Sequence, residues 1–261
     1  MHIFWHEMKR TRLSLLIWTA AIAFMLAVCV IIYPEMAPQM SQITDTFADM
    51  GSFSTAFNLD QLNFGEFKGY FAVECGNVLG LGGAIFAAIA GITALAKEEK
   101  DKTAEFLLTH PVSRERVVGE KLLSVLAQII LLNVLVFAVV AGCIAAIGET
   151  GSLKELWLLF LANFLMQVQI GLMTFGISAF LKNGGLAIGL GLSFGFYFLS
   201  IVANLTEEAK VLKYITPFGY TDGAAILKAQ ALEWKYLAVG GVLTLIGAAA
   251  AIFKYRTKDI G

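Results

Sequence analysis

Glu74 is the clearest ionisable residue inside a long apolar stretch of the sequence, and Asn77 follows it about one helical turn later. A carboxylate inside a membrane span is costly, so it predicts either a functional site or a position at the depth of the lipid headgroups. Both interpretations stay open for Glu74: a role in substrate binding or coupling, and simple interfacial placement. A proton-driven transporter would need acids or bases at mid-membrane, and their scarcity in this sequence disfavours secondary transport.

Polar and small residues recur along one face of the segment 155–181. Their steps of 4, 4, 3 and 4 place them on a single side of a helix, and they are Asn163, Gln167, Gly171, Thr174 and Ser178. Such a face either packs against a neighbouring helix or lines a water-filled pathway. Gln128 and Asn133 in the preceding apolar segment are candidates of the same type. A substrate path would combine these side chains with Glu74 and Asn77.

No catalytic constellation occurs in the sequence. His2 and His6 have the spacing of a metal-binding pair, but the second histidine of an HExxH motif is missing, so no metal site is expected. The GxSxG motif is missing, and so is the phosphate-binding GxxxxGK[ST] loop, since the chain has no Gly-Lys dipeptide. We therefore expect no nucleotide hydrolysis in this chain. Cys29, Cys75 and Cys143 fit small packing residues, because their number is odd and no CxxC occurs.

The composition indicates a membrane protein, because 58% of the 261 residues are hydrophobic and only 15% are charged. A soluble domain carries about 25% charged residues, and a spanning helix needs roughly 20 apolar ones. Lipid leaves no partner for an open sheet edge, so we predict an all-α integral membrane protein with a single transmembrane domain over residues 1–261. Six segments qualify as spans: 13–33, 71–96, 117–147, 155–181, 185–205 and 236–253.

Lysine and arginine are distributed unevenly over the two sides of the predicted bundle. The N-terminus, residues 97–121, Lys182 and the C-terminus share one side, which carries 13 of the 19 basic residues against 6 on the other. The positive-inside rule therefore predicts that both termini are cytoplasmic. Residues 1–12 combine aromatic side chains with a basic run, which predicts a short helix in the cytoplasmic headgroup region.

The two long loops on the outer side contain predicted structure. In the first, 34–70, apolar residues recur every three or four positions and predict an amphipathic helix that stops at Gly51; they are Met36, Met40, Ile43, Phe47 and Met50. An aromatic-rich return follows it, and both packing at the outer interface and a substrate gate stay open for this stretch. In the last loop, 206–235, we predict short helices, the second of them capped by Asp222.

Two glycine pairs lie in the segment 185–205. Gly185 with Gly189, and Gly191 with Gly195, both have the GxxxG spacing that allows two helices to approach closely. Packing inside one subunit and a dimer interface both stay open as interpretations of these four positions.

Residues 98–123, EEKDKTAEFLLTHPVSRERVVGEKLL, form the most polar stretch of the chain and lie between two predicted spans. Asp101 or Thr103 is suited to cap a short helix that must end near Pro111, and Ser113 is suited to cap the next helix. A solvated loop would have no need of the three consecutive bulky apolar residues at 106–108. The pattern indicates a lever: a soluble partner that grips it would move the second and third spans.

The same segment resembles the cytoplasmic coupling helix of type-2 ABC exporter permeases. In that family an acidic cluster precedes a Leu-Leu pair, then Pro-Val-Ser-Arg, then a Lys-Leu-Leu that enters the third span. The matching residues here are Thr103, Glu105, Leu107, Leu108, Pro111, Val112, Ser113, Arg114, Lys121, Leu122 and Leu123. Lys102 and Ala104 depart from the pattern, which often has Gly and Leu at these places. The six spans and the predicted loop helices resemble the family as well.

This resemblance implies the permease subunit of an ATP-driven ABC exporter, multi-pass in the cell (cytoplasmic) membrane. Two permease copies, or one copy and a paralogue, would pair with separately encoded ATP-binding subunits that hold ATP and Mg, so this chain would carry no cofactor. In the family, the dimer contact tends to involve the first and fifth spans, which favours the dimer interpretation of the glycines. The implied coupling segment is 97–116, and the implied ATPase contacts are Glu98, Glu99, Thr103, Glu105, Phe106, Leu107, Leu108, Pro111 and Arg114.

The outer loops, aromatic and amphipathic, favour an amphiphilic substrate: a peptide antibiotic, with a cationic antimicrobial peptide preferred, a drug or a lipid-like molecule. Nucleic acid is not expected as a partner, because the net charge is −1 and no basic excess exists. Residues 98–116 would also serve a membrane sensor or scaffold that does not transport and recruits a cytoplasmic partner. ATP-dependent movement of a substrate in vesicles separates these two hypotheses.

Overall fold

A computed structural model describes residues 2–48, 50–100, 113–149, 153–181 and 185–257. Over these residues the protein is helical and contains no strand, as predicted. Six helices are long and apolar enough to cross a membrane. Together they indicate a multi-pass membrane protein.

The helices follow the predicted spans to within a few residues at most ends. In chain order the elements are α1 His2–Ala48, α2 Ser52–Ala56, a 3₁₀ helix Leu59–Gln61, α3 Phe67–Glu74, a π-helix Cys75–Leu81, α4 Gly82–Lys100, α5 Arg114–Ala146, α6 Leu153–Ser178, α7 Leu186–Ala203, 3₁₀ helices Glu208–Tyr214 and Pro217–Tyr220, α8 Gly223–Ala229 and α9 Trp234–Thr257. The second span is composite, since α3, the π-helix and α4 continue directly into one another. The other candidate spans are α1, α5, α6, α7 and α9.

Helix α1 differs from the prediction, because one helix of 47 residues replaces the three elements expected there. The headgroup helix, the first span and the first loop helix are continuous, so the boundaries predicted between them are wrong. Pro34 and Pro38 lie inside α1, and each removes one backbone hydrogen bond. Contacts of the adjacent Tyr33 help to hold this part of the helix: its ring lies 5.1 Å from that of Tyr70, and its hydroxyl donates to the carbonyl of Gly65 at 2.8 Å.

Helix α4 lies at the centre of the bundle. It packs against α6 and α7, while α1 packs against α5 and α9 against α6. Glycine allows α4 and α6 to meet closely: a Cβ added to Gly91 would overlap the carbonyl oxygen of Gly171 and the hydroxyl of Thr174. Lipid is as apolar as leucine, so membrane helices associate through close packing of this kind.

The bundle has two ends with different contents. One, called the termini end, contains the helix ends His2, Lys100, Arg114, Ser178 and Thr257. The opposite end contains a cavity and is called the cavity end. Exposed tryptophans mark both, with Trp5 at the termini end and Trp157 and Trp234 at the cavity end. Tryptophans at both ends are typical of the aromatic belts of membrane proteins.

Candidate functional site

Glu74 is the last residue of α3 and stands directly before the π-helix Cys75–Leu81. A π-helix widens the helical turn, and such segments occur frequently at functional sites. The π-helix and the first turn of α4 lie against polar side chains of α6. A Cβ on Gly80 of the π-helix would approach Asn163 Oδ1 to 2.9 Å, and one on Gly83 of α4 would overlap Gln167. The signal for this irregularity in the sequence is the group of glycines within an apolar run.

A cavity of about 520 Å³ lies beside this π-helix. Its walls come from the second half of α1, from α2, α3, the π-helix and α7, and from the loop elements around the start of α8. A volume in this range suits a drug-sized ligand or one part of a larger one. Glu74 and Asn77, both predicted for the substrate path, line the cavity together with the aromatic residues Phe53, Phe57, Phe64, Tyr70, Tyr197 and Phe218.

Asp222 organises the polar wall of the cavity. Its Oδ1 accepts from the backbone N–H of Ala224 at 3.1 Å and of Ala225 at 3.4 Å, which caps α8. Its Oδ2 accepts from Asn58 Nδ2 at 2.6 Å and from Lys213 Nζ at 3.3 Å. The carboxylate therefore joins the two long loops and is paired with a lysine. Local sequence signals suggest the cap, whereas the pairing with residue 58 is long-range and leaves no local signal.

The polar stripe of α6 lies against the second span and α5. Asn163 Nδ2 donates to the carbonyl of Leu159 at 2.8 Å within its own helix and lies 3.7 Å from the sulfur of Cys75. Gln167 Nε2 donates to the carbonyl of Leu79 at 3.3 Å, and its Oε1 accepts from Asn133 Nδ2 at 2.6 Å. These contacts connect three helices through buried amides.

Burial separates this stripe from the cavity. Side chains of the stripe are at most 1% exposed: Asn163, Gln167, Thr174 and Ser178. None of these four lines the cavity, and neither do Gln128 and Asn133. The structure thus brings Glu74 and Asn77 together at one site and places the other predicted path residues between helices. A substrate path along the stripe stays a prediction.

Replacing Gln167 by methionine is expected to lower the free energy of unfolding by roughly 1 kcal/mol, because the interhelical hydrogen bonds that it makes are lost. Gln128→Met is the matched control, since Gln128 is also buried but donates to Ser124 of its own helix at 3.1 Å. Thermal unfolding of both variants in a mild detergent measures the difference. Equal midpoints would show that the bonds of Gln167 to its neighbours contribute no stability.

A buried ion pair joins three helices at the termini end. Lys121 Nζ lies 2.9 Å from Glu7 Oε1 and donates to the carbonyl of Ala94 at 2.8 Å. Lys121 is 1% exposed and Glu7 is 8% exposed. These contacts tie α1 and α4 to α5, and we call them the Lys121 junction. It lies about two helical turns from the end of α4 and from the start of α5.

Glu120 caps the start of α1 next to this junction. Its Oε2 accepts from the backbone N–H groups of Ile3 at 3.0 Å and Phe4 at 3.1 Å, and its Oε1 accepts from Arg116 Nε at 2.9 Å. A carboxylate at a helix N-terminus is stabilised by the unpaired N–H groups and the helix dipole. Sequence reasoning missed both Glu120 and Glu7 as structural residues. The available signal was a pair of adjacent opposite charges, Glu120 and Lys121, at the edge of an apolar span.

The predicted ATPase contacts lie next to the Lys121 junction in the chain. Arg114 begins α5, and Ser113 caps this helix by accepting from the N–H of Arg116 at 3.4 Å. Glu98 and Glu99 belong to the last turn of α4. The other predicted contacts lie outside the described residues: Thr103, Glu105, Phe106, Leu107, Leu108 and Pro111.

The two glycine pairs of α7 have different surroundings. A Cβ on Gly189 would lie 2.9 Å from the side chain of Ile92 in α4, and one on Gly185 would meet the same isoleucine at 2.9 Å. Gly191 and Gly195 have no described atom within 4 Å of the corresponding position. One pair therefore packs within the subunit, while the other lies on an open face of α7.

Comparison with known proteins adds one match to these observations. Residues 1–260 match the family described as "ABC-2 family transporter protein". The match therefore covers nearly the whole chain, including residues 98–123. No curated protein matches the sequence significantly.

Proposed function

Since this chain belongs to the ABC-2 family of transporter proteins, we propose that it works as the permease of an ATP-driven exporter for an amphiphilic substrate. Membership confirms the family to which residues 98–123 pointed, and it makes the chain a membrane subunit of an ABC transporter. ATP and Mg would be held by a separately encoded ATP-binding subunit. The permease would contribute the path through the membrane and the surface on which that subunit acts.

The termini end is proposed to face the cytoplasm, with the chain in the cell membrane. The argument is the distribution of charge, since 13 of the 19 lysine and arginine residues would lie on that side. In this orientation the coupling segment 97–116 meets the cytoplasmic ATP-binding subunit. The cavity then lies near the outer face of the membrane.

The Lys121 junction is the observation that carries the coupling proposal. A partner that pushes on residues 101–112 would act on the end of α4 and the start of α5. About two turns from these ends, both helices are tied to α1 through Lys121, which contacts Glu7 and Ala94. The partner's motion would therefore reach three helices together.

The cavity supports the proposal of an amphiphilic substrate. Its walls combine aromatic rings with a carboxylate, Glu74, and with the exposed amide of Asn77. Ligand sites commonly pair an apolar lining with a small number of polar groups that fix orientation. A substrate with an apolar body and a polar head could contact both the aromatic residues and the polar groups of this lining.

A second copy of the chain, or a paralogous permease, is proposed to pack on α7. The open face at Gly191 and Gly195 allows a neighbouring helix to approach closely. Gly185 and Gly189 are already in contact with α4, so the dimer proposal now rests on the other pair.

Two substitutions in the coupling segment test this function. Glu105→Arg and Phe106→Asp are each expected to reduce ATP-dependent transport and substrate-stimulated ATPase activity at least several-fold, because the ATP-binding subunit loses its contact. Membrane insertion should stay unchanged, since neither residue lies in a span. Transport and ATPase activity are measured in vesicles that contain the complex.

Glu208→Arg is the matched control, because Glu208 is an exposed acid at the cavity end, far in the chain from the segment. It should leave ATPase coupling near the wild-type value. Wild-type transport in both segment variants would remove the coupling role of residues 105 and 106.

A further inference from the structure

In the described part of the chain, Glu74 is the one charged residue of the cavity wall that has no ion pair. Of the described residues that line the cavity, three are charged: Glu74, Lys213 and Asp222. Lys213 and Asp222 pair with each other at 3.3 Å. The described lining residues therefore sum to a formal charge of −1, which is that of Glu74.

The surroundings of Glu74 do not neutralise it. In the described part of the chain, its carboxylate accepts one hydrogen bond, from the thiol of Cys29 at 3.6 Å, and makes no ion pair. The nearby hydroxyl of Tyr70 donates to the carbonyl of Cys29 at 3.4 Å. A half-buried carboxylate that has lost part of its hydration gains most from an added cation.

Aromatic residues line the same cavity as Glu74. Tyr70 precedes Glu74 by four residues on α3, so the two side chains lie on one face of the helix. In the same cavity wall the hydroxyl of Tyr197 donates to Asn77 Oδ1 at 3.3 Å, and the Tyr197 ring packs edge-on against Phe218 at 5.6 Å. Ring faces attract ammonium and guanidinium groups as well as apolar chains.

We propose that the cavity binds a cationic amphiphile, with Glu74 as the counter-ion of its ammonium or guanidinium group and the aromatic wall as the contact for its apolar body. This inference rests on the proposed function, because it names the class of molecule that the permease would take. Anionic and neutral amphiphiles would leave the carboxylate unpaired in a partly dry site.

A second substitution in the cavity wall can test binding by filling the cavity. Gly76 lines the cavity, and a Cβ built on it meets no described atom within 4 Å. A larger side chain at this position would therefore project into free space instead of clashing with the fold. Gly142 in α5 also has open surroundings but does not line the cavity.

The test is direct binding of three dansyl-labelled probes to the full chain in nanodiscs of uncharged lipid, without ATP. One probe is a quaternary alkylammonium, one its neutral alcohol analogue and one its sulfonate analogue. Wild-type protein should bind the ammonium about tenfold more tightly than the alcohol, as expected for an ion pair of ~1.4 kcal/mol. The sulfonate should bind most weakly.

Substitutions test whether Glu74 causes the preference for the ammonium over the alcohol. Glu74→Gln should abolish the tenfold preference while leaving alcohol binding unchanged, and Glu74→Asp should keep it. Glu208→Gln, which removes an exposed acid elsewhere at the cavity end, should behave as wild type. Gly76→Met should weaken binding of the ammonium and the alcohol alike, whereas Gly142→Met should weaken neither.

Equal binding of the ammonium and the alcohol to wild-type protein, or an unchanged preference in Glu74→Gln, would overturn the proposal. Tighter binding of the sulfonate would overturn it as well. The binding assay uses no ATP, so its result is independent of the transport assay that tests the proposed function. If the complex transports substrate but the protein binds the ammonium no better than the alcohol, the Glu74 site is refuted and the proposed function stands.

Discussion

Lys121→Met is expected to cost the protein about 3–5 kcal/mol of folding free energy, the largest loss among the single substitutions considered. The lysine is buried and holds the buried carboxylate of Glu7 at 2.9 Å. Removing it leaves that carboxylate without its ion pair and deletes the hydrogen bond from Lys121 Nζ to the carbonyl of Ala94. The measurement is the thermal midpoint of the purified protein, together with ATPase coupling in the complex, which should fall because α1 is no longer tied to α4 and α5.

Lys210→Met is the matched control for this substitution. Lys210 also forms an ion pair, at 2.6 Å with Glu207, but both side chains are at least half exposed. An exposed pair contributes little to stability, because water screens the attraction between the two charges. The double substitution Glu7→Gln with Lys121→Met should recover part of the loss, because the unpaired charge is gone. A midpoint for Lys121→Met within error of that for Lys210→Met would contradict the structural role given to the junction.

Gly91→Val is expected to separate α4 from α6 and to destabilise the bundle by about 1–3 kcal/mol or more. A side chain at this position would overlap the backbone carbonyl of Gly171 and the hydroxyl of Thr174. A backbone atom cannot rotate away as the end of a long side chain can, so the two helices must shift. Loss of the monodisperse fraction on heating in mild detergent measures the effect.

Gly142→Val separates this steric effect from the general effect of valine in a helix. Gly142 lies within α5 and is exposed, with no described atom within 4 Å of an added Cβ. It should leave the heating curve close to that of the wild type. If both variants lost monodispersity at the same temperature, the close approach of α4 and α6 at Gly91 would not limit stability.

The number of membrane helices was predictable because the length and apolarity of a span are properties of one continuous segment. Spans predicted over 117–147 and 155–181 appear as Arg114–Ala146 and Leu153–Ser178. The continuity of α1 through the predicted boundaries was not predictable in the same way. Pro34 and Pro38 suggest a boundary by themselves, but tertiary contacts of Tyr33 support a continuous helix.

In the candidate site, too, features with a local sequence signal were predictable and features that depend on distant residues were not. Glu74 was identified because an isolated carboxylate in an apolar segment is visible locally, and the structure places it in the cavity wall. The π-helix after it lies against amides of α6, Asn163 and Gln167, which are distant in sequence. Glu7 and Lys121 are 114 residues apart, so no spacing rule connects them. Long-range polar pairs are therefore the part of the site that required the structure.

The most direct test of the permease function is to tag the chain, purify it gently from its native membrane and assay for a co-purifying subunit with vanadate-sensitive ATPase activity. We predict a stoichiometric ATPase whose activity rises with an amphiphilic substrate and whose retention is reduced by Phe106→Asp. A chain that emerges alone and without ATPase activity from several mild detergents would contradict the coupling role of residues 97–116.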